Sequence, residues 1–451
     1  MSFLTKVSGI LNERFTTAQS LLLGYLVFIV TGSVLLMLPI SSSGDDTLSF
    51  IDAVFTTVSS ISGTGLIVVD TATYFSLFGQ MVVMVLIQIG NVGYMLFFAL
   101  AVIFLGGKLS LLNKLIIKES ISHSKLNLVA FVRKVFKYTL VIELFAAILL
   151  TAYWLPTMPL GEAVKQGVFH SISAFCTAGF SLFSDNLAGY KDDVFVNLVI
   201  LLTSYLGCIG FFVMYDLSSF AKTKFGKNKR YRLSTHTKIV LVVSIAITII
   251  GTVVIYLSEN FFHTTDAATM LESLFQSTSA STSVGFNTAN IGEMENSSLF
   301  IIIFEMFVGA SPSGTGGGIK TTVFAIMCLA LFTFIRDRKQ VNTLHRSIHP
   351  GTIARAFSIS LLAVFWVFFS TMVLSLTEET QFIFLLFEAV SALGNNGLSA
   401  GITSSFSVTA KIILSLSMLI GRVGPLIVGY TLLGKRKAVN YEYPEGNILI
   451  V

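Results

Sequence analysis

The chain has 451 residues, 54% hydrophobic and only 12% charged, with a formal net charge of +5 and a mean hydropathy of +0.82. Soluble domains carry about 25% charged residues, so this composition excludes an ordinary water-soluble enzyme and points to a polytopic membrane protein. Three cysteines (Cys176, Cys208 and Cys328) and six scattered histidines stand in no disulfide or metal-ligand spacing.

Long apolar runs lie near residues 18–38, 75–105, 138–155, 194–220, 238–257, 299–335, 356–376 and 408–433. Glu13 and Arg14 precede the first of them, which argues against a cleaved signal peptide. A helix needs about 20 residues to cross the hydrocarbon core, so the sequence predicts eight spans. Between the two members of each pair sits one short pattern: Phe, three residues, Ser, five residues, Gly, then Leu or Phe. Its copies are Phe55/Ser59/Gly65/Leu66, Phe169/Ser173/Gly179/Phe180, Phe275/Ser279/Gly285/Phe286 and Phe387/Ser391/Gly397/Leu398. Successive glycines are 114, 106 and 112 residues apart.

The pattern segments are too short to cross. Residues 52–62 as a helix would cover only about 16 Å, so they enter and leave on one side. The predicted fold is therefore an all-α polytopic membrane protein with four parallel repeats of span, pore helix with re-entrant loop, and span. Eight transmembrane helices would surround one central pore. The repeats are 18–105, 138–220, 238–335 and 356–433. Two spans per unit return the chain to its starting side, unlike the inverted repeats of many secondary transporters. Ser49-x-x-Asp52 and Thr269-x-x-Glu272 both read as capping boxes that open a pore helix. Such a helix would aim its partly negative C-terminal end at the membrane centre, favouring a cation there.

Basic residues cluster in loops 106–137, 221–237 and 336–355 and in the C-terminal tail 434–451, whereas the first and third pattern segments are acidic and lack Lys and Arg. The positive-inside rule then places both termini and these basic loops in the cytoplasm, with the re-entrant loops opening outward. The basic loops serve either this topogenic role alone or also the docking of a cytosolic partner.

Small or polar residues follow each pore helix: Ser62-Gly63-Thr64-Gly65, Cys176-Thr177-Ala178-Gly179, Thr282-Ser283-Val284-Gly285 and Gly394-Asn395-Asn396-Gly397. Non-helical backbone at this depth is tolerated only where it is buried or lines water. Inward carbonyls from four such segments can replace the hydration shell of a potassium ion. The candidate ion-binding residues are Gly65, Gly179, Gly285, Gly397, Thr64, Thr177, Ser283 and Asn395, with potassium at the backbone carbonyls. Helix-packing glycines are the bland alternative, but four copies at one spacing, each between two spans, outweigh it.

The sixth span is interrupted by Gly309-Ala310-Ser311-Pro312-Ser313-Gly314-Thr315-Gly316-Gly317-Gly318-Ile319-Lys320. Pro and five glycines cannot sustain a helix. A phosphate-binding loop is ruled out because Ile319 separates Gly318 from Lys320. The segment 309–320 is read as a gate loop under the filter, with Gly314, Gly316, Gly317, Gly318 and Lys320 as gate residues; a packing kink is the milder alternative. Arg422 lies inside the eighth span, 13 residues before Lys435, or about 20 Å of helix. It is expected to bond carbonyls of the broken helix and repel cations, with snorkelling as the alternative.

These residues resemble the Trk/Ktr/HKT superfamily of potassium transporters. The resemblance covers nearly the whole chain and rests on the four pattern copies, the Gly316-Gly317-Gly318-Ile319-Lys320-Thr321 stretch and Gly421-Arg422-Val423-Gly424-Pro425. In size it is similar to the KtrB branch, the membrane subunit of bacterial Ktr systems, rather than to the longer TrkH. The resemblance implies a homodimer with one pore per subunit and a cytosolic RCK-type nucleotide-binding ring (KtrA-like) that responds to ATP or ADP. It also implies that Gly65, Gly179, Gly285 and Gly397 are the filter glycines, that the broken span is an intramembrane gate and that Arg422 faces it. Plant relatives with Ser at the first position favour sodium, so Gly65 argues for potassium. One departure is Asn91, where the family pattern would have glycine.

The expected function is potassium uptake across the cell membrane, with potassium as substrate, no covalent cofactor, nucleotide on the partner only and no nucleic-acid partner. Membrane potential would drive it, at about 2.3 kcal/mol per charge per 100 mV. The asymmetry of the four segments predicts one well-defined potassium site rather than a queue of equal ones. The alternative is a sodium- or proton-coupled symporter, for which Glu143, Asp216 and Glu305 are the candidate proton carriers and sodium a coupling ion or activator.

Overall fold

The computed structural model describes residues 17–44, 46–92, 128–224, 232–262 and 269–424. The chain begins with α1 (Thr17–Leu36), α2 (Phe50–Ser62) and α3 (Leu77–Val92). Next come α4 (Leu128–Trp154), α5 (Leu160–Phe175), α6 (Val194–Cys208) and α7 (Phe211–Lys224). The third group is α8 (Thr235–Phe262), α9 (Met270–Thr282), α10 (Asn296–Val308) and α11 (Thr321–Ile335). The last is α12 (Pro350–Thr377), α13 (Phe382–Gly394) and α14 (Val408–Val423). A two-stranded antiparallel hairpin, β1 (Asn342–Thr343) and β2 (Arg346–Ser347), joins α11 to α12.

Among the described residues, α4, α8 and α12 are individually long and apolar enough to cross a bilayer. Their outer faces carry exposed Leu144, Phe145, Ile249, Leu257, Phe365 and Phe368, a surface suited to lipid. The expected second and eighth spans are described only as far as Val92 and Gly424; residues 93–105 and 425–433 lie outside the described residues, as do the loop 106–127 and the tail 434–451.

The short helices α2, α5, α9 and α13 each begin outside a pattern copy and end just before its glycine. Their starts follow the sequence signals. Ser49 Oγ accepts from the Asp52 N–H at 3.2 Å, and Thr269 Oγ1 accepts from the Glu272 N–H at 3.1 Å; each satisfies one orphan donor of the first turn. The helices α5 and α13 start without such a side-chain cap.

The run 194–220, expected as one span, is not straight. It breaks between α6 and α7 at an angle of 99°. Gly210 takes φ +92 there, and a Cβ on it would collide with the Pro312 carbonyl. The backbone groups freed by the break find partners in the segment between α10 and α11. Ser311 N–H donates to Cys208 O (3.2 Å) and Phe211 N–H donates to Ser313 O (3.1 Å). Tertiary pairing thus replaces two helical hydrogen bonds.

The apolar core is split into four clusters, one at each seam between neighbouring pattern units. Phe75 and Ile87 meet Phe131 and Phe175 at the first seam. Trp154 and Leu150 meet Phe275 and Phe286 at the second. Ile302 and Met306 meet Phe387 and Leu393 at the third. Phe55 and Ile61 meet Leu414 and Met418 at the fourth, which joins the end of the chain to its beginning. The pattern phenylalanines are all buried within this arrangement, which leaves the polar pattern segments on the inside of the ring.

Candidate ion-binding site

Each short helix ends in a left-handed residue. These are Gly63 (φ 67), Thr177 (φ 50), Ser283 (φ 59) and Asn395 (φ 45), each two residues before a pattern glycine. The pattern serine then pins the turn. The main-chain carbonyls of Ser59, Ser173, Ser279 and Ser391 accept from the N–H of Thr64, Ala178, Val284 and Asn396 at 2.8–3.1 Å. The hydroxyls of Ser59, Ser173 and Ser279 donate to the carbonyls of Leu66, Phe180 and Phe286 at 2.7, 2.7 and 2.6 Å. Ser391 Oγ accepts from Gly397 N–H at 3.1 Å. This is why the spacing recurs: the serine clamps the segment on either side of the glycine.

The four glycines close a ring. Their φ angles are 91, 66, 81 and 93° at Gly65, Gly179, Gly285 and Gly397. A Cβ on Gly65 would strike the Ala178 carbonyl, one on Gly179 the Val284 carbonyl, one on Gly285 the Asn396 carbonyl, and one on Gly397 the Thr64 carbonyl. Each glycine therefore abuts the carbonyl that precedes the next, and the fourth returns to the first. Glycine is required twice over, by the positive φ and by the approach of the neighbouring backbone. Uncharged carbonyl oxygens in such a ring are suited to a partly dehydrated monovalent cation. No group of His, Cys, Asp or Glu among the described residues could hold a metal ion.

Above the ring opens a cavity of about 490 Å³, lined by Gly65, Gly179 and Gly397 and by the loops that follow all four glycines. Its charged lining residues are Asp70 and Asp185. Ser184 Oγ donates to Asp70 across two units, at 2.6 Å. A salt bridge from Lys411 Nζ to Asp52 Oδ1 (2.7 Å) ties α14 to the start of α2.

The expected side-chain set divides. Thr177, Ser283 and Asn395 are equivalent corner residues, but Thr64 is not. It stands one residue later, in register with Ala178, Val284 and Asn396, and the true first corner is Gly63. Thr64 Oγ1 instead pairs with Ser62 Oγ at 2.7 Å and accepts from Asn395 Nδ2 at 2.9 Å, stitching the fourth segment to the first. Asn396 does the same toward the third, donating to Ala280 O at 2.7 Å.

The break between α10 and α11 lies directly against three of these corners. After α10 ends, Ala310 N–H donates to Gly317 O (3.0 Å), and Ile319 and Lys320 N–H donate to Phe307 and Val308 O (3.2 and 3.0 Å). Residues 315–317 then touch one segment each. Thr177 Oγ1 donates to Thr315 Oγ1 (3.1 Å), a Cβ on Gly316 would lie 3.0 Å from that of Ser283, and one on Gly317 would lie 2.6 Å from Asn395 Oδ1. Lys320 Nζ donates to Gly316 O at 2.6 Å. Arg422 donates to Thr315 O through one guanidinium nitrogen. Its other terminal nitrogen donates to Gly90 O and Asn91 O, both at 2.9 Å. Gly314 and Gly318 complete the loop, Gly318 at φ +82 against Gly309.

The candidate proton carriers are held by side chains of neighbouring helices. Glu143 accepts from Gln88 Nε2 at 3.0 Å, Glu305 from Ser277 Oγ at 2.7 Å, and Asp216 from Thr237 Oγ1 at 2.5 Å near the start of α8. His170 is buried between aromatic rings and bonded to Gln166 O and Ser181 Oγ, a packing role.

The family model TrkH, described as a cation transport protein, matches residues 16–433. The chain belongs to the TrkH family of cation transport proteins. Two relatives of this TrkH-family chain come from Bacillus subtilis (strain 168). "Ktr system potassium uptake protein B" is 36% identical over 444 residues, covering 96% of this chain and 97% of the relative. "Ktr system potassium uptake protein D" is 35% identical, covering 98% and 99%. The crystal structure of the potassium transporter TrkH from Vibrio parahaemolyticus superimposes with a TM-score of 0.71 at 18% identity, covering 92% of this chain and 85% of that one, and so shares its fold. These relatives are transporters and not enzymes, and the TrkH-family chain is itself a membrane cation transporter rather than an enzyme. The resemblance to the Trk/Ktr group read from the pattern glycines holds.

Proposed function

We propose that the protein takes up potassium through a single central pore made by its four pattern segments. The observation that carries this reading is the closed ring of Gly65, Gly179, Gly285 and Gly397, each set against the carbonyl before the next. Backbone carbonyls are the ligands, and potassium is the substrate. The names of the B. subtilis relatives, potassium uptake proteins of a Ktr system, support the choice of ion. In this reading eight spans form four parallel units, 18–105, 138–220, 238–335 and 356–433. The cavity lined by the loops after all four glycines opens outward, and both termini are cytoplasmic in the cell membrane.

Segment 309–320 closes the pore beneath the ring. Residues 315–317 fill the space inside the corners, and Arg422 bolts Thr315 to α3. Lys320 and Arg422 add positive charge on the exit side, which opposes a cation until the loop moves. A homodimer and a cytosolic nucleotide-binding ring that senses ATP or ADP complete the proposal; the word "system" in the relatives' names accords with a further subunit.

The test is potassium uptake by cells lacking their own potassium uptake systems, comparing wild type with Gly65→Ser. Uptake by the wild type, with selectivity over sodium weakened in the variant, supports the filter. Selectivity that survives Gly65→Ser in folded protein overturns it.

A further inference from the structure

Three buried side-chain oxygens at or beside the left-handed corners have no hydrogen-bond partner among the described residues: Asn91 Oδ1, Ser283 Oγ and Asn395 Oδ1. Their residues are 3%, 0% and 0% exposed. Buried polar atoms are almost always paired, so three orphans in one small region call for a missing partner. Ser283 and Asn395 are two of the four left-handed corners, and Thr177, a third, has its hydroxyl 2.7 Å from Cys176 O and 3.1 Å from Thr315 Oγ1. The remaining corner, Gly63, has no side chain to offer.

Asn91 stands where that side chain would be. A Cβ on Gly63 would run into the Asn91 carboxamide, with Oδ1 the nearest atom. Asn91 reaches this place from α3, its Nδ2 donating back to Ile87 O at 2.9 Å, which leaves Oδ1 free to serve as an acceptor. Three of the four corners touch the same short segment. Thr315, Gly316 and Gly317 touch Thr177, Ser283 and Asn395, while Arg422 joins Thr315 O to the main-chain carbonyl of Asn91.

We propose that Asn91 supplies the missing oxygen of the first corner and completes, with Thr177, Ser283 and Asn395, an inner site for a monovalent cation leaving the glycine ring. The site deepens the pore reading and rests on it. Neutral amide and hydroxyl oxygens suit a potassium ion with part of its water shell and exclude an anion. Residues 315–317 lie against Thr177, Ser283 and Asn395, so in this proposal the cation takes the site when the segment withdraws. The departure at Asn91 and the glycine at 63 are thus one exchange: the oxygen has moved from the corner to the neighbouring helix.

The test uses the full-length protein in potassium uptake. Asn91→Ala keeps the main-chain carbonyl that Arg422 holds and removes only the amide. It should lower the maximal potassium rate by about tenfold, the scale of one lost neutral polar ligand, with little change in the half-saturating concentration set at the outer ring. The exchange variant Gly63→Ser with Asn91→Gly returns an oxygen to the corner, in the conformation Ser283 already holds at φ 59, and should restore the rate. An unchanged rate in Asn91→Ala, or a loss that the exchange does not restore, overturns the proposal. If Asn91→Ala does not fold, the exchange variant alone decides, by retaining or losing uptake. Gly65→Ser run in parallel separates the two readings. Selectivity altered there but a rate unmoved at Asn91 removes the inner site alone; selectivity unmoved at Gly65 removes the filter as well.

Discussion

Arg422 holds the carbonyl of Thr315 with one guanidinium nitrogen and the carbonyls of Gly90 and Asn91 with the other, the latter pair at 2.9 Å. One side chain thus fastens the break between α10 and α11 to α3. Charge-assisted hydrogen bonds of this kind are worth about 1.5–3 kcal/mol each. Arg422→Ala should therefore favour the displaced loop and raise potassium flux through a mostly closed pore by roughly 10- to 100-fold. Flux equal to wild type in properly inserted protein would place the arginine's role outside gating.

The ring glycines make a sharper demand than a helix-packing glycine would. At Gly285, alanine brings a methyl group onto the Asn396 carbonyl and a side chain to φ +81. Gly285→Ala and Gly65→Ala should therefore both damage selectivity, although only the first segment has Thr64 between two glycines. Comparing potassium over sodium selectivity across Gly65→Ala, Gly179→Ala, Gly285→Ala and Gly397→Ala checks this. A ring in which one position tolerates alanine would not be closed as described.

Shortening the loop is a separate test of the gate. Deleting residues 314–318 removes Thr315, Gly316 and Gly317 from beneath Thr177, Ser283 and Asn395, so flux should rise. Lower or equal flux from folded protein would give the segment a structural role only.

Much of this was legible because the decisive constraints are local. The serine clamp and the left-handed glycine lie within one turn of each other, so they leave a fixed spacing in the sequence. Pro312 and the glycines around it announce the break after Val308. The corner register was legible in the spacing, two residues before each pattern glycine, but polarity pointed one residue too far in the first segment. Thr64 matched Thr177, Ser283 and Asn395 in polarity, but the fold aligns residues by backbone conformation, which puts Gly63 in that position. Asn91 could be seen as a departure, yet its place beside Gly63 depends on how α3 packs on α2. The bend after Cys208 was hidden for a similar reason, since Gly207 and Gly210 in an apolar run are compatible with an unbroken helix.

The salt bridge between Asp52 and Lys411 gives a control outside the pore reading. The two side chains are 24% and 13% exposed and close the seam between α2 and α14. Lys411→Met should cost about 1 kcal/mol or less and lower the melting temperature in detergent slightly. Ion selectivity should not change, because the ring glycines are held by their own serines. A selectivity change here would mean that the outer seam sets the geometry of the ring.

The bend at Gly210 leads to the last prediction. Cys208 O accepts from Ser311 N–H, Phe211 N–H donates to Ser313 O, and Thr315 N–H donates to Gly207 O at 3.2 Å. The loop is thus seated on the break between α6 and α7 as well as bolted by Arg422. Alanine at Gly210 would meet the Pro312 carbonyl and a backbone at φ +92, so Gly210→Ala should unseat residues 311–315 and raise flux in the same direction as Arg422→Ala. The two act on one segment from opposite sides, so the double variant should fall short of the product of the single effects. Measuring flux in both single variants and the double variant decides the point. Fully multiplicative effects would mean that the arginine and the bend restrain different parts of the protein.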